Sequence, residues 1–337
     1  MQAEFGKVLP THTPKLFDAA VRQASDLLRS GQVVALPTET VYGLAANAFD
    51  ASAVSKIFEI KGRPARNPII VHIANLDLAR ICVSAWPSLA DKLARSFWPG
   101  PLTLVLPRSK AIPDIVTAGG STVGVRWPSH PFVQAVIREC GFPLAAPSAN
   151  LSNQLSPTNA SHVQKSLGDK IHLIVDGGQS QVGIESTVLD VTATPPRLLR
   201  PGMIHEQALL AVTGELTLGF GDGEEILKSP GLLQKHYSPR AELVVLSWRD
   251  DVDLRNQISD FRFQISNLNV IAHSHIPSGH DFDRVSVIPH DPEAFARALY
   301  AELHQCDEAG ADVIIVEAVP ETDEWRAIAD RLKRAAS

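Results

Sequence analysis

Three short polar clusters, each placed where an apolar segment stops, carry most of the chemistry available to this chain: Pro37-Thr38-Glu39-Thr40, Lys61-Gly62-Arg63-Pro64 and Ser148-Ala149-Asn150. They set fixed cations beside small hydroxyl and amide groups, the combination that a polyanionic ligand requires. Arg63 stands between a flexible glycine and a rigid proline, and its guanidinium fork matches phosphate or carboxylate oxygens bidentately. A Lys-Gly-Arg run after a helix also suits the negative end of that helix, so the run alone leaves both roles open. Arg126 and Arg200 end the short apolar runs Val123-Gly124-Val125 and Leu198-Leu199. A ligand-facing strand end and an ordinary surface arginine are the two alternatives there. Ser148-Ala149-Asn150 after Ala145-Ala146-Pro147, and Ser186-Thr187 after Gly183-Ile184-Glu185, can hold ribose, phosphate or an amino-acid hydroxyl, or can simply cap turns. Asp176-Gly177-Gly178 is open between a tight turn and a close backbone approach to a ligand.

Several familiar signatures are missing. The sequence contains no GxxxxGK[ST] run and no GxGxxG between a strand and a helix, so neither a P-loop nor a dinucleotide fingerprint accounts for the cations. No HExxH or paired-histidine spacing supports zinc, and His273-Ser274-His275 at a strand end reads as solvated or turn-bonded. No GxSxG nucleophile elbow is present. What remains is a site that works by binding and orienting reactive groups, which can itself lower a barrier substantially.

The elements that must position these residues alternate between strand and helix patterns. Leu16 to Ser30 has the helical period and ends at Gly31; a strand Val33–Leu36 follows, and Asp50 is placed to cap a helix from Ala51 to about Ile60, leaving Lys61 at its end. Further strands are expected at Ile69–Ala74, Leu102–Leu106, Val123–Trp127, Leu144–Ala146, Ile171–Val175, Thr187–Val191 and Arg197–Leu199, with helices at Ser88–Phe97, Pro131–Cys140 and Ser161–Leu167. This is an α/β layout on a mixed, twisted sheet. After Pro201-Gly202 the texture changes, and the glycine-rich stretch Gly214–Arg240 reads as an exposed connection. Alternation then resumes with strands Leu243–Ser247, Asn269–Ala272, Val285–Ile288 and Val313–Glu317 and helices Pro292–Asp307 and Asp323–Arg334, a smaller Rossmann-like α/β domain. The expected organisation is therefore a ligand-binding domain over 1–205, a linker able to serve as a lid over 206–240, and a C-terminal domain over 241–337.

Composition bounds the reading. The chain has 337 residues, 45% hydrophobic and 20% charged, enough to bury large cores in two domains. Residues 1–205 hold 19 Lys+Arg against 14 Asp+Glu, whereas residues 206–337 hold 12 against 23, so the anionic ligand belongs to the first half. That surplus is too small for tight binding to bulk nucleic acid. The sequence has no basic segment leading into an apolar run at its start and no apolar stretch of about 18 residues, from which a cytoplasmic location is expected. Cys82, Cys140 and Cys306 are few, odd in number and far apart, which excludes a disulfide framework and a CxxC site; they read as small buried hydrophobes.

Taken together, Pro37-Thr38-Glu39-Thr40-Val41-Tyr42-Gly43-Leu44, Lys61-Gly62-Arg63-Pro64, Asn67-Pro68, Val71-His72-Ile73, Ala146-Pro147-Ser148-Ala149-Asn150 and Leu199-Arg200-Pro201-Gly202 resemble the YrdC-like threonylcarbamoyl-AMP synthases, over about residues 16–205. The acidic second domain, preceded by Lys235-His236-Tyr237-Ser238-Pro239, resembles the longer two-domain form, with Ser238 where alanine is usual and Leu232-Leu233 where methionine is common. The resemblance implies a nucleotidyltransferase that makes L-threonylcarbamoyladenylate and pyrophosphate from L-threonine, bicarbonate or carbon dioxide, and ATP, for threonylcarbamoyladenosine in tRNA. It implies Lys61, Arg63, Ser148 and Asn150 as catalytic residues. Thr40, His72, Arg126, Ala146 (through its backbone) and Ser186 fall on the threonine and carbamate side, and Arg63, Asn67, Thr122, Ser148, Ser156, Arg200, His236 and Tyr237 on the ATP side. Magnesium is expected to arrive with ATP, and the expected partners are the downstream tRNA threonylcarbamoyl transferase machinery, with weak or no direct contact with nucleic acid. An RNA-binding module and a carbamoyltransferase on the same fold are the rival readings; steep loss of affinity with salt in the absence of ATP would mark the former.

Overall fold

The computed structural model describes residues 5–64, 66–219, 238–262, 266–278 and 281–336. The chain divides into two compact units, Met1–Ser152 with Ser156–Leu233, and Asn153–Leu155 with Gln234–Ser337.

The first unit opens with β1 (Lys7–Pro10), α1 (Pro14–Arg29), β2 (Val34–Leu36), β3 (Gly43–Asn47), α2 (Ala51–Lys61) and β4 (Val71–His72). Next come α3 (Leu76–Cys82), α4 (Ser88–Phe97), β5 (Leu102–Pro107), α5 (Asp114–Thr117), β6 (Thr122–Arg126), α6 (Pro131–Cys140) and β7 (Leu144–Ala145). It closes with α7 (Ala160–Leu167), β8 (Leu173–Asp176), β9 (Thr187–Asp190), β10 (Arg197–Arg200), α8 (Glu206–Thr213) and β11 (Thr217–Leu218). The eleven strands form one sheet in the order β1-β8-β2-β3-β7-β4-β6-β5-β9-β10-β11. Pairing is mixed: β2 runs parallel to β8 and antiparallel to β3, and β6 parallel to β4 and antiparallel to β5.

Two-residue alternation along the strands sends successive side chains to opposite faces, and it divides the interior accordingly. Val33, Ala35, Leu44 and Ala46 join one core with Ala53, Val54 and Ile57 of α2, Leu93 of α4 and Val163 of α7. Val34, Leu36 and Ala45 join the other, with Ala20, Ala24 and Leu28 of α1 and Phe132, Val136 and Ile137 of α6. The helices begin and end where the residue types dictate. Thr13 caps α1 through its hydroxyl, Asp50 caps α2 by accepting from the Ser52 and Ala53 amides, and Gly62 closes α2 in the left-handed conformation at φ 59°.

The expected layout holds for α4 and α6 residue for residue, and the mixed α/β sheet is as anticipated. Three departures have local causes. The strand expected at Ile69–Ala74 shortens to Val71–His72, because the Ile69 amide turns to the Val116 carbonyl. Gly43–Asn47 is a strand although its sequence, GLAAN, has no β-branched residue; pairing with β2 on one side and β7 on the other supplies what propensity does not. The stretch expected as linker starts with ordered elements of the first unit: α8 buries Leu209 in the larger core, and β11 pairs with β10.

The second unit contains β12 (Glu242–Leu246), α9 (Asp251–Arg262), β13 (Leu268–Ala272), β14 (Arg284–Val287), α10 (Pro292–Glu308) and β15 (Val313–Glu317), then a 3-10 turn Asp323–Trp325 leading into α11 (Arg326–Ala335). Its four strands are all parallel in the order β12-β15-β13-β14. The last residue of β15, Glu317, accepts the consecutive backbone amides of His273 (2.7 Å), Ser274 (2.8 Å) and His275 (3.1 Å) that follow β13, and the His275 Nδ1 lies 2.8 Å from the same carboxylate. The motif His273-Ser274-His275 is thus turn-bonded, as its sequence suggests. Among the described residues no helix is long and apolar enough to cross a membrane. Cys82 and Cys306 are buried, Cys140 half-buried, and all three are free thiols.

Candidate active site

The connection from β2 to β3, residues 37–42, forms one wall of the site. Thr38 organises it by accepting the amides of Thr40 (3.2 Å) and Val41 (3.3 Å) on a hydroxyl that itself donates to the Val41 carbonyl at 2.6 Å. Gly177 lies against this wall, where an added Cβ would come within 2.6 Å of the Pro37 ring, and its amide donates to the Tyr42 hydroxyl at 3.1 Å. Asp176-Gly177-Gly178 is therefore a close backbone approach to Pro37 and Tyr42.

Arg126, at the end of β6, points into this wall and is only 3% exposed. Its Nε donates to the Gly100 carbonyl at 3.3 Å, its Nη1 to the Thr40 hydroxyl at 2.8 Å, and its Nη2 lies 2.7 Å from a carboxylate oxygen of Glu39. The surface-arginine alternative fails here. His72 is beside it, because β4 and β6 pair in register with His72 opposite Arg126.

Lys61 and Arg63 turn inward as well. The Lys61 amine donates to the carbonyls of Ser148 (2.5 Å) and Asn150, so the end of α2 is tied to the Ser148-Ala149-Asn150 turn; Gly43 in turn bridges to Ser148. Arg63 donates from Nε to the Asn67 carbonyl at 3.1 Å and from Nη2 to the Pro68 carbonyl at 2.7 Å. Neither cation serves α2 as a simple end cap. Ala146, expected to act through its backbone, gives its amide to the Ile70 carbonyl at 3.1 Å, which leaves its carbonyl as the group to offer.

The segment 180–186 closes the ring of contacts. Val182 and Gly183 donate their amides to the carbonyls of Glu39 (2.7 Å) and Thr40 (3.1 Å). Ser186 follows, with its hydroxyl 2.8 Å from the fully buried Thr103 hydroxyl and 3.2 Å from Arg200 Nη2; Arg200 Nε also donates to the Ser186 carbonyl at 3.0 Å. Ser156 donates to the Glu185 carboxylate at 2.6 Å. Thr122 opens β6 at the strand end remote from Arg126. His236 and Tyr237 lie outside the described residues. Glu39, Thr103 and Glu185 belong to this network although the sequence alone assigned them no role. Their signal is faint, since Thr103 and Ser186 are 83 positions apart and Glu185 and Ser156 are 29 apart.

Electrostatics mark the same region. Burial lowers the Lys61 amine well below its ordinary range, and the neighbouring Arg63 charge adds to the effect. Burial, reinforced by Arg126 and opposed by Glu39, pushes His72 down to about 3, so the imidazole is neutral at physiological pH. Burial pushes Glu39 up, but the Arg126 charge outweighs this with the help of hydrogen bonding, and the carboxyl stays below its usual range. Several buried polar atoms have no aligned partner among the described residues, namely both amide atoms of Asn67 and the His72 Nδ1. Each such atom costs roughly 1–3 kcal/mol unless something else meets it, and a cluster of them beside buried cations is the imprint of a polar ligand.

The class that this fold and site define is an α/β protein on a mixed sheet, with buried arginines set among small hydroxyl groups. Comparison with known proteins narrows it. The Sua5/YciO/YrdC family model, described as telomere recombination, matches residues 26–202, and the model for the C-terminal domain of threonylcarbamoyl-AMP synthase matches residues 203–337. A threonylcarbamoyl-AMP synthase of Pyrococcus abyssi is 42% identical over 94% of this chain and 93% of its own length, and one of Bacillus subtilis is 42% identical over 95% and 93%. A crystal structure of P. abyssi Sua5 complexed with L-threonine superposes with a TM-score of 0.90 at 40% identity, covering 98% of this chain and 96% of that one. The chain belongs to the threonylcarbamoyl-AMP synthase family.

Proposed function

We propose that this protein condenses L-threonine, bicarbonate and ATP into L-threonylcarbamoyladenylate, releasing pyrophosphate and water. The observation that carries the reading is Arg126: a buried guanidinium braced by Thr40, Gly100 and Glu39, in a fold shared with a protein solved with L-threonine bound. Arg126 holds the amino-acid carboxylate, with Thr40, His72, Ser186 and the Ala146 carbonyl around the rest of the amino acid and its carbamate. Arg63, Asn67, Thr122, Ser148, Ser156 and Arg200 serve the nucleotide. Lys61 and Asn150 fix the floor, Lys61 by holding the 148–150 turn in place.

The chemical obstacle is crowding of negative charge. The threonine amine becomes a carbamate, and a carbamate oxygen then attacks the α-phosphorus in line while pyrophosphate leaves. Cations fixed in advance, in a site with little water, stabilise that charge without reorganising. The neutral His72 keeps an imidazole nitrogen available to hydrogen-bond the amino acid or its carbamate. Among the described residues no group of three or more His, Cys, Asp or Glu could hold a metal, so magnesium is assigned to the substrate as Mg·ATP. The product is a labile mixed anhydride, and its consumer is a tRNA threonylcarbamoyl transferase in the cytoplasm.

The test is pyrophosphate release by the purified protein with ATP, bicarbonate and each amino acid in turn. Release that depends on threonine and on bicarbonate supports the reading. Release indifferent to the amino acid, or salt-sensitive RNA binding with no ATP consumption, would replace it.

A further inference from the structure

Thr103 lies on β5 behind Ser186 and is fully buried. β5 and β9 pair in parallel with Leu102 opposite Thr187, which sets Thr103 beside Ser186, the residue before β9. Gly124 on β6 leaves the room that this side chain needs, since a Cβ there would come within 3.2 Å of the Thr103 methyl. With its methyl against β6, Thr103 turns its hydroxyl to the Ser186 hydroxyl at 2.8 Å, the one hydrogen bond its side chain makes among the described residues.

Two hydroxyl protons share that single contact, so among the described residues one of them has no acceptor. A hydroxyl has one proton to give and two lone pairs with which to receive. The Arg200 guanidinium, which can only donate, already reaches one Ser186 lone pair from Nη2 at 3.2 Å. If Ser186 gave its proton to Thr103, the Thr103 proton would be stranded in the core as an unmet buried donor. If Thr103 gives its proton to Ser186, both Ser186 lone pairs are filled and the Ser186 proton is turned out, where a ligand can accept it. Ser186 then only donates, so the atom it meets is an oxygen with a free lone pair, and an ammonium is refused. We propose that Thr103 is a positioning residue for the reaction, its hydroxyl directing the Ser186 proton onto a carboxylate-type oxygen of the substrate, either the α-carboxylate of threonine or the carbamate built on its amine. The proposal rests on the placement of Ser186 at the amino acid and its carbamate.

The experiment is a double-mutant cycle on the full chain, read as kcat/KM for L-threonine in pyrophosphate release at saturating ATP and bicarbonate. Thr103→Val keeps the shape and removes the hydroxyl. It is expected to lower kcat/KM roughly 2- to 10-fold, the range for one neutral hydrogen bond, and to cost nothing further in the Ser186→Ala background. Thr103→Ser, which returns the hydroxyl, should recover most of the loss. An equal loss with and without the Ser186 hydroxyl would make Thr103 a packing residue and overturn the proposal, as would undiminished kcat/KM in Thr103→Val. Calorimetry with L-threonine in the absence of bicarbonate identifies the oxygen: weaker binding by Thr103→Val assigns the α-carboxylate, and intact binding with slowed release assigns the carbamate. If Thr103→Val does not fold, Thr103→Ala goes through the same cycle with the same outcomes deciding. Wild-type protein that releases no pyrophosphate with L-threonine would instead overturn the proposed function, taking this inference with it.

Discussion

Replacing Arg126 with lysine keeps the charge and removes the fork, which separates substrate recognition from general electrostatics. In the structure the guanidinium reaches three different groups in one plane: the Gly100 carbonyl, the Thr40 hydroxyl and the Glu39 carboxylate. A single ammonium nitrogen on a shorter, tetrahedral head cannot meet all three, and its strongest attraction is to Glu39. The Gly100 and Thr40 oxygens then lose their donor at a cost of roughly 1–3 kcal/mol to stability. For the ligand, one of two parallel charge-assisted bonds is lost, worth about 1.5–3 kcal/mol, so L-threonine should bind roughly 10- to 100-fold more weakly. Nucleotide affinity should change by less than about threefold, since the nucleotide is assigned to other cations. Titration calorimetry with L-threonine and, separately, with a non-hydrolysable ATP analogue reads both numbers. Equal losses for the two ligands would refute the assignment and leave Arg126 a general electrostatic or structural residue.

Arg63→Ala should slow pyrophosphate release by roughly 10²-fold, as loss of a transition-state charge partner does. It should also lower stability by about 1 kcal/mol for each of the bonds to the Asn67 and Pro68 carbonyls. Undiminished release from an earlier-melting protein would reduce Arg63 to a loop brace. His72, held neutral with its folded pKa depressed from 6.5 to about 3, contributes stability that is complete above pH 6.5 and is lost as pH falls through that interval, because the unfolded chain takes up the proton first. The limit is on the order of 5 kcal/mol. Melting temperature against pH, compared with His72→Gln, should show the variant with a flatter slope between pH 6.5 and 5, and identical slopes would contradict the assignment. Leu209→Ala, in a stretch whose sequence reads as linker, should cost about 2–5 kcal/mol by chemical denaturation of the first unit, whereas a loss under 0.5 kcal/mol would mean that α8 is not part of its core.

How far the sequence discloses the fold depends on whether local and tertiary preferences agree. α4 and α6 were legible to the residue because each has a proline at or just before its first turn and a strong apolar stripe. α9 was not, since DVDLRNQISDFR is mostly polar and, among its described side chains, only Leu254 and Ile258 are buried. At the site, the residue types were legible and their engagements were not. Lys61 reads as a cation at a helix end with its role open, and only the turn 87 positions later shows its amine held by two carbonyls. Arg126 and Glu39 are likewise 87 positions apart in sequence, and nothing local to either names the other. Clusters of unusual residues can be seen in a sequence, but the buried partners that fix them are set by strand order, which the sequence does not spell out.

The amide row that follows β13 has a consequence of its own. In doubly wound parallel sheets, main-chain amides at the carboxyl end of a strand are the customary berth for a phosphate. Here the chain moors its own Glu317 there, so an arriving phosphoryl group would meet a resident negative charge where kindred folds present bare donors. The second unit shares the architecture of a nucleotide binder while its anion berth is filled from within. A second nucleotide has no claim on that position.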